Sequence, residues 1–325
     1  MKLTVLGAGA WGTALAIRLV ERGHEVALWG HNASHLADLR RDRVNACYLP
    51  GISLPSELRM EASISKAIKG SGGVVVSVPS HAFRDVAAVL SGYRNLLVSV
   101  TKGIEHNSGL TMCGVLSQIA SHAGVAALSG PSLAMEVARG IPTAVVAASS
   151  NPILADVVQQ IFNGPAFRVY TSLDQLGVEL GGALKNVVAI AAGVCDGLGF
   201  GDNSKAALAT RGIAEIRRLG VACGAQPETF SGLSGLGDLT VTCFSKQSRN
   251  RSFGERLGRG ESLEQIQSST VTVAEGYPTA LSAWQLGRKL QVETPIIDEV
   301  HAILYESKSP TQALRALMNR SVRAE

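Results

Sequence analysis

The stretch KLTVLGAGAWGTALAIRLVERG, residues 2–23, contains an apolar strand, a glycine-rich turn and an amphipathic helix in immediate succession. The turn GAGAWG, residues 7–12, has the spacing G-x-G-x-x-G. In this context Gly7 permits a tight turn, Gly9 lets the backbone approach a pyrophosphate, and Gly12 lets the helix pack close to the strand. The phosphates would lie at the N-terminus of the helix. The stretch predicts a dinucleotide-binding unit, the alternative being a plain glycine-rich turn.

The same alternation continues through the first half of the chain. Stretches of helical length, such as residues 11–23 and 151–162, separate most of the predicted strands. Those strands cover residues 2–7, 25–29, 73–78, 96–100, 125–129, 143–148 and 167–170. Strands that alternate with helices through short connections form a mostly parallel sheet with helices on both faces. We therefore predict a Rossmann-like α/β domain over residues 1–172.

The strand pattern stops near residue 172. From there on, apolar residues recur with helical spacing, as in residues 172–194 and 203–224. We predict an all-α domain over residues 173–325. The cleft between two such domains is the expected ligand site.

Composition limits the classes of function. The 325 residues are 46% hydrophobic and 17% charged, which predicts a sizeable core. A net charge of +4 suits an anionic small molecule but is too diffuse to indicate nucleic acid. The five cysteines lack metal-ligand spacing, so we expect free thiols in a reducing cytoplasm and no metal. We find no apolar run of about 18 residues and expect no stable membrane insertion.

The end of the second predicted strand bears on the choice of dinucleotide. NAD-specific sites usually carry Asp or Glu there to bind the ribose 2′-hydroxyl. In ALWGHN, residues 27–32, His31 occupies that place, and Arg40 and Arg41 follow. A site without the carboxylate does not repel a 2′-phosphate, which favours NADP(H), or both cofactors. The alternative is that His31 is only a solvated loop residue.

Polar residues follow two later predicted strands, at the edge of the sheet where ligands bind. Lys102 follows the strand at 96–100, although it could equally be a surface lysine. Gly130 and Ser132 follow the strand at 125–129 and precede a predicted helix, whose first N–H groups suit a phosphate or an amide.

The apolar helix LGGALKNVVAIAAGV, residues 180–194, contains Lys185. Small neighbours such as Gly181 would let another segment approach, and desolvation would then lower the pKa of the lysine toward neutrality. The alternative is a lysine whose amine extends to water. The glycine-rich loop at 231–254 contains Asp238, and a buried carboxylate there needs a cationic partner. The same loop contains SRNR, residues 248–251, whose arginines either bind a phosphate or are solvated surface charges.

Taken together, these motifs resemble the bacterial NAD(P)-dependent glycerol-3-phosphate dehydrogenases. The resemblance rests on GAGAWG, VPSHAF, TKGIE, SGPSLAMEVA, ALKN, GLGDLTVTC, QSRNRSFG and VAEGYPT, in one order over nearly the whole chain. It implies interconversion of dihydroxyacetone phosphate and NAD(P)H with sn-glycerol 3-phosphate and NAD(P)+, which feeds phospholipid synthesis in the cytoplasm. It also implies a homodimer.

The resemblance further implies roles for individual residues. It makes Lys185 the catalytic lysine and places Lys102, Asp238 and Thr242 around the reacting carbon. It gives substrate contacts, mainly to the phosphate, to Gly130, Ser132, Asn186, Ser248, Arg249 and Asn250. It gives cofactor contacts to Ala10, Trp11, His31, Ala134, Val273 and Glu275, with Lys102 and Arg249 near both ligands. Ala10 replaces a residue that is often polar, so we expect only a backbone contact there.

Two other functions remain open on sequence. One is a two-domain reductase acting on a β-hydroxy acid or ketopantoate, which SRNR argues against because those substrates lack a phosphate. The other is a non-catalytic nucleotide-binding or scaffold protein, which has no need of a semi-buried pair such as Lys185 and Asp238.

Overall fold

Within residues 1–269 and 273–320, which the computed structural model describes, the chain forms ten strands and fifteen α-helices. The chain divides into two compact units. Unit 1 comprises Met1–Lys102 and Leu110–Glu179, and unit 2 comprises Gly103–Gly109 and Leu180–Glu325. The boundary predicted from the sequence, at residue 172, coincides with the end of the last strand.

Unit 1 contains all ten strands. They are β1 Lys2–Leu6, β2 Glu25–Trp29, β3 Val44–Asn45, β4 Leu49–Ser53, β5 Arg59–Glu61, β6 Gly73–Val76, β7 Leu96–Ser99, β8 Gly124–Ser129, β9 Thr143–Ala148 and β10 Phe167–Ser172. Eight of them form one sheet in the order β10-β9-β8-β7-β6-β1-β2-β5, and β3 pairs with β4. Every pairing in the large sheet is parallel except that of β8 with β9. The predicted mostly parallel sheet is thus confirmed.

The central strands are buried on both faces, which is why they read as continuous apolar runs. Leu3 and Val5 of β1 belong to one hydrophobic core, whereas Leu6 belongs to the core on the other side. The helices of unit 1 are α1 Ala10–Glu21, α2 Ala33–Asp42, α3 Ile64–Ile68, α4 Phe83–Ala87, α5 Met112–Ile119, α6 Ala134–Ala138 and α7 Pro152–Phe162. The sequence did not predict β3, β4 and β5, because these strands are short and partly polar.

Unit 2 is helical, as predicted. Its helices are α8 Gln175–Gly197, which begins in unit 1, and α9 Asp202–Ala222, α10 Asp238–Phe244, α11 Arg249–Gly258, α12 Leu263–Ser268, α13 Gly276–Lys289, α14 Pro295–Tyr305 and α15 Pro310–Met318. The prediction of a glycine-rich loop over 231–254 is wrong in part, since α10 and the start of α11 lie there. Short helices with polar caps do not show enough turns for a periodic pattern.

One sequence observation needs correction. By length and composition, α8 is apolar enough to cross a membrane, although no membrane insertion is expected from the sequence. Within the protein, however, 89% of its apolar window is buried, as in the core helix of a globular unit.

Candidate active site

The glycines of the GAGAWG turn have different neighbours. Gly7 has a φ of +122°, and a Cβ atom there would lie 2.2 Å from the carbonyl oxygen of Ser77. A Cβ atom at Gly12 would lie 1.9 Å from the carbonyl oxygen of Gly7, so α1 packs directly on the turn. Side chains at these two positions would displace backbone atoms. Gly7 and Gly12 therefore set the shape of the turn.

Gly9 is different because a Cβ atom there would meet nothing within 4 Å. It is the N-cap of α1, with no side chain bonded to the first turn, and Ala10 and Trp11 begin the helix. The first N–H groups of a twelve-residue helix thus lie beside open space, which fits the pyrophosphate of a dinucleotide.

The residues named for the 2′-position lie just beyond β2. His31 is exposed. Arg40 donates a hydrogen bond from Nη2 to the carbonyl oxygen of Met60 at 2.8 Å. Arg41 forms ion pairs with Asp38 at 3.0 Å and Asp42 at 2.7 Å. Of these three residues, His31 is the one placed directly after the strand.

Lys102, Gly130 and Ser132 come together in unit 1. Lys102 Nζ donates to the carbonyl oxygen of Gly130 at 2.9 Å and lies 3.5 Å from Ser132 Oγ. Ser132 Oγ in turn donates to the same carbonyl at 2.9 Å. Gly130 has a φ of +135°, which favours glycine, and Ala134 begins α6 shortly after. This loop therefore holds the ammonium of Lys102 at the carboxyl end of the sheet.

In unit 2, Lys185, Asp238 and Thr242 form one buried polar group. Lys185 Nζ donates to Asp238 Oδ1 at 2.7 Å and to Thr242 Oγ1 at 2.6 Å. Thr242 Oγ1 donates to the carbonyl oxygen of Asp238 at 2.6 Å, so it accepts from the ammonium. Asp238 lies in the first turn of α10, where the helix dipole favours a carboxylate. The three groups can hold a proton at a defined position in a dry environment.

Close backbone approach makes this group possible. A Cβ atom at Gly181 on α8 would lie 2.7 Å from the carbonyl oxygen of Ser234. Ser234 belongs to a π-helical turn, Leu233–Gly237, that leads directly into α10. The small residue noted in the sequence therefore lets this turn touch the lysine-bearing helix.

Asn186 and Asn250 are joined next to the lysine. Asn250 Nδ2 donates to Asn186 Oδ1 at 2.8 Å, and the N–H of Gly276 donates to Asn250 Oδ1 at 2.9 Å. Both asparagines are buried. Glu275 precedes Gly276 as the N-cap of α13, and Val273 is half-buried. One amide thus links α8, α11 and the start of α13.

Ser248 and Arg249 lie at the start of α11. Ser248 is the N-cap, and its Oγ accepts from the N–H of Arg251 at 3.2 Å. Arg249 is exposed, although the protein around its guanidinium lowers its pKa and the charge of Glu275 opposes that shift. An exposed guanidinium at a helix start suits an anionic ligand.

Comparison with known proteins identifies the family. Models of the N-terminus and C-terminus of NAD-dependent glycerol-3-phosphate dehydrogenase match residues 2–155 and 174–315. The chain belongs to this family. The resemblance found in the sequence is thus confirmed, and the family is one of oxidoreductases that use NAD(P).

Individual relatives are similar to this chain over nearly the full length of both proteins. Glycerol-3-phosphate dehydrogenase [NAD(P)+] of Desulfotalea psychrophila is 49% identical, over 99% of this chain and 98% of the relative. The enzyme of the same name from Chlorobium phaeobacteroides strain DSM 266 is 48% identical, over 100% and 99% of the two chains. The crystal structure of glycerol-3-phosphate dehydrogenase from Coxiella burnetii superposes with a TM-score of 0.95 at 38% identity, covering 98% of this chain and 99% of that one.

Unit 2 contains a second charged cluster, which the sequence did not predict. Asp196 on α8 forms ion pairs with Lys205 Nζ of α9 and Arg251 Nε of α11, both at 2.6 Å. Arg251, which the sequence left as a phosphate ligand or a solvated residue, is therefore a buried structural cation. The signal was available, since Asp196 follows Lys185 by about three turns on one helix face.

Two buried carboxylates were also missed. Glu215 of α9 accepts from the N–H groups of Ile296 and Ile297 at the start of α14, at 2.9 and 2.8 Å. Glu179 accepts from the N–H of Cys113 in the first turn of α5 at 2.9 Å. Burial raises the pKa of each carboxyl from 4.5 to about 7, and the N–H donors oppose that shift. An acidic residue within an apolar stripe is the sequence signal for such a role.

The other candidate groups are the cysteines and the possible metal ligands. All five cysteines are free thiols, and burial raises the pKa of Cys113, Cys195, Cys223 and Cys243, to about 12 for Cys243. Thiols with raised pKa values are weak nucleophiles at neutral pH. In the described part of the chain, no group of three or more His, Cys, Asp or Glu residues is arranged to hold a metal ion.

Proposed function

We propose that this chain catalyses the reversible reduction of dihydroxyacetone phosphate to sn-glycerol 3-phosphate with NAD(P)H. The observation that carries this proposal is the buried group of Lys185, Asp238 and Thr242 in a member of this family. When bound, the nicotinamide cofactor supplies the hydride that adds to the ketone carbon. The chain then has to bind both ligands, orient the ketone and deliver a proton to its oxygen.

Lys185 is the proposed general acid. Its ammonium donates the proton to the substrate oxygen in reduction, and its neutral amine accepts one in oxidation. Asp238 and Thr242 hold the amine in position from two sides, at 2.7 and 2.6 Å. Lys102 stabilises the negative charge that grows on the oxygen.

The proposed phosphate contacts come from the start of α11 and its neighbours. Arg249 supplies a guanidinium, and Asn250 and Ser248 supply amide and hydroxyl groups. Asn186, Gly130 and Ser132 complete the set of substrate contacts. Binding energy from the unreactive phosphate then orients the ketone, which raises the rate of the chemical step.

We assign the cofactor to residues 1–172 and the substrate and catalytic groups mainly to residues 173–325. The cofactor contacts proposed are the turn Gly7, Gly9, Ala10, Trp11 and Gly12 with His31, Lys102, Ala134, Arg249, Val273 and Glu275. An exposed His31, without a carboxylate at this place, supports use of NADP(H), NAD(H) or both.

By analogy with the family, the enzyme acts in the cytoplasm on the route to phospholipids and functions as a homodimer. Light scattering tests the oligomeric state, since one chain has a mass of 33.9 kDa. A monomer at working concentration would contradict the homodimer.

The function is tested with purified protein, dihydroxyacetone phosphate and NADPH, and then NADH, by following cofactor oxidation. Ketopantoate serves as the control substrate, and Lys185→Ala as the control variant. Turnover of the triose phosphate that collapses in the variant supports both the reaction and the role of Lys185. Turnover of ketopantoate alone indicates the rival reductase, and cofactor binding without turnover indicates a binding protein.

A further inference from the structure

Asp196 lies about three turns after Lys185 on the same face of α8. Its two carboxylate oxygens are used by different cations, Oδ1 by Lys205 and Oδ2 by Arg251. The side chains of Asp196, Lys205 and Arg251 are 12%, 9% and 11% exposed, so the three charges depend on one another. Lys205 belongs to α9, whereas Arg251 belongs to α11, which begins at the proposed phosphate contacts.

The helices α8 and α11 touch through their backbones close to this ion pair. A Cβ atom at Gly193 would lie 1.9 Å from the carbonyl oxygen of Arg251, and one at Gly254 would lie 2.0 Å from that of Ile190. With no side chains between them at these points, a small shift of α11 along α8 is not absorbed by side-chain rotation. The charged pair therefore acts at a rigid contact.

The side of α11 on which Arg251 lies determines the side on which Arg249 lies. Residues two apart on an α-helix point about 200° from one another. Arg251 is held toward α8 by Asp196, and Arg249 consequently points away from that contact. Asn250, between them, is fixed by Asn186 of the same helix α8. The rotation of α11 about its axis is thus set by α8 at two consecutive positions.

We propose that Asp196 is a positioning residue for substrate phosphate, acting through Arg251 to fix the rotation of α11. This inference rests on the proposed function and deepens it. Asp196 touches neither substrate nor cofactor in this scheme. Its effect falls on the affinity for the phosphate group, because Arg249 and Asn250 are the groups that it orients.

The two cations on Asp196 give the proposal an internal control. Lys205 binds the same carboxylate, but it lies on α9 and its ammonium also faces the ring of Phe244 at 5.3 Å. Removal of Lys205 perturbs the cluster and leaves the Asp196–Arg251 pair in place. A positioning role therefore predicts different effects for Arg251→Met and Lys205→Met, whereas a purely structural role predicts similar ones.

The experiment compares full-length Asp196→Asn, Arg251→Met, the double variant and Lys205→Met with the unchanged protein. It measures KM and kcat for dihydroxyacetone phosphate, the inhibition constant of inorganic phosphate, and thermal unfolding. Glu215→Gln is the matched control, because it alters a buried carboxylate of unit 2 that bonds to α14 and not to α11. Arg251→Lys keeps a positive charge on a different side chain and tests whether that charge alone preserves phosphate affinity.

We expect Asp196→Asn and Arg251→Met to raise both KM and the inhibition constant of phosphate about tenfold, with a smaller fall in kcat. The double variant should resemble either single variant, since both remove the same link. Lys205→Met should lower the unfolding temperature without this change in KM, and Glu215→Gln should leave KM unchanged. Arg251→Lys should restore part of the affinity for the substrate. If either single variant does not fold, Arg251→Lys, which keeps a cation beside Asp196 and leaves the Asp196–Lys205 pair in place, supplies the KM comparison.

The proposal is overturned if Asp196→Asn and Arg251→Met, or the double variant, destabilise the protein with KM and phosphate inhibition unchanged. It is also overturned if Lys205→Met and Glu215→Gln raise KM equally. Failure of the proposed function looks different, because the unchanged protein would then not turn over dihydroxyacetone phosphate at all. Calorimetric titration of inorganic phosphate into the unchanged protein and Asp196→Asn would still report the anion site in that case.

Discussion

The ammonium of Lys185 lies 2.7 Å from the carboxylate of Asp238, with 8% and 1% of the two side chains exposed. The pair joins the middle of α8 to the first turn of α10. The same ammonium therefore stabilises the fold and is the proposed proton donor. Removing one partner leaves the other charge in a dry environment, which typically costs about 3–5 kcal/mol. Stability and catalysis are therefore linked here but can be separated by mutation.

We expect Lys185→Met to lower kcat by about 10²–10⁴-fold, because the general acid is lost, and to lower the free energy of unfolding. The double variant Lys185→Met, Asp238→Asn should regain part of that stability and none of the activity. Steady-state kinetics and denaturant unfolding check both statements. A Lys185→Met enzyme that keeps nearly full kcat would contradict the assignment.

Substitutions at Gly9 and Gly12 of the first turn should affect cofactor binding and stability differently. At Gly9 a Cβ atom meets no neighbour, so Gly9→Ala should unfold at the same temperature as the unchanged protein. The added methyl group would occupy the place of the pyrophosphate and weaken NADPH binding about tenfold or more. Fluorescence titration with NADPH measures this effect.

By contrast, Gly12→Ala places a methyl group 1.9 Å from the carbonyl oxygen of Gly7. We expect it to destabilise the fold by at least about 1–3 kcal/mol, since α1 must move away from the turn. Equal unfolding temperatures for the two alanine variants would show that the open space at Gly9 has no special role.

Stability should depend on pH through Glu215. Its folded-state pKa is raised from 4.5 to about 7, so the folded protein binds more protons than the unfolded chain between these values. The free energy of unfolding consequently falls as pH rises from 4.5 to about 7, by up to about 3 kcal/mol for this group. Below pH 4.5 both states are protonated and the group contributes no slope.

Glu215→Gln removes this titration, so we expect a shallower fall in stability over that pH range. Chemical denaturation at several pH values gives the comparison. The pKa of Glu179 is raised to the same value, so this residue should still contribute to the pH dependence of stability in the variant. Parallel curves for variant and unchanged protein would be inconsistent with a raised pKa at Glu215.

His31 bears on the choice of cofactor. A carboxylate at this place hydrogen-bonds the ribose 2′-hydroxyl and repels a 2′-phosphate. We expect His31→Asp to lower kcat/KM for NADPH relative to NADH by about tenfold or more. Because the residue is exposed, the unfolding temperature should not change. An unchanged ratio would place the 2′-position elsewhere.

Local chemistry made much of the active region predictable. The turn at residues 7–12 depends on the spacing of three glycines within a strand and helix that are contiguous in the chain. The cationic partner expected for Asp238 followed from the cost of an isolated buried charge, and the structure supplies Lys185. The roles of these residues in binding and catalysis remain predictions.

Other features depended on which helices pack together. The sequence predicts a loop where the short helices α10 and α11 lie, because seven and ten residues with polar caps give little periodicity. From the sequence, Arg251 and Arg249 are equally good candidates for a phosphate ligand. Only the tertiary structure shows that Arg251 is buried and paired with Asp196. Glu215 could be suspected within its apolar stripe, but its partner α14 could not be named.

By itself, the sequence determined the fold class, the glycine turn and the residue types available for hydride-transfer chemistry. These features arise from backbone sterics and from periodic burial within contiguous segments. Tertiary structure alone decided which charges meet, as Lys185 does with Asp238 and Asp196 with Arg251. Such pairs join residues more than fifty positions apart, and their energies depend on burial and distance, which exist only once the helices have packed.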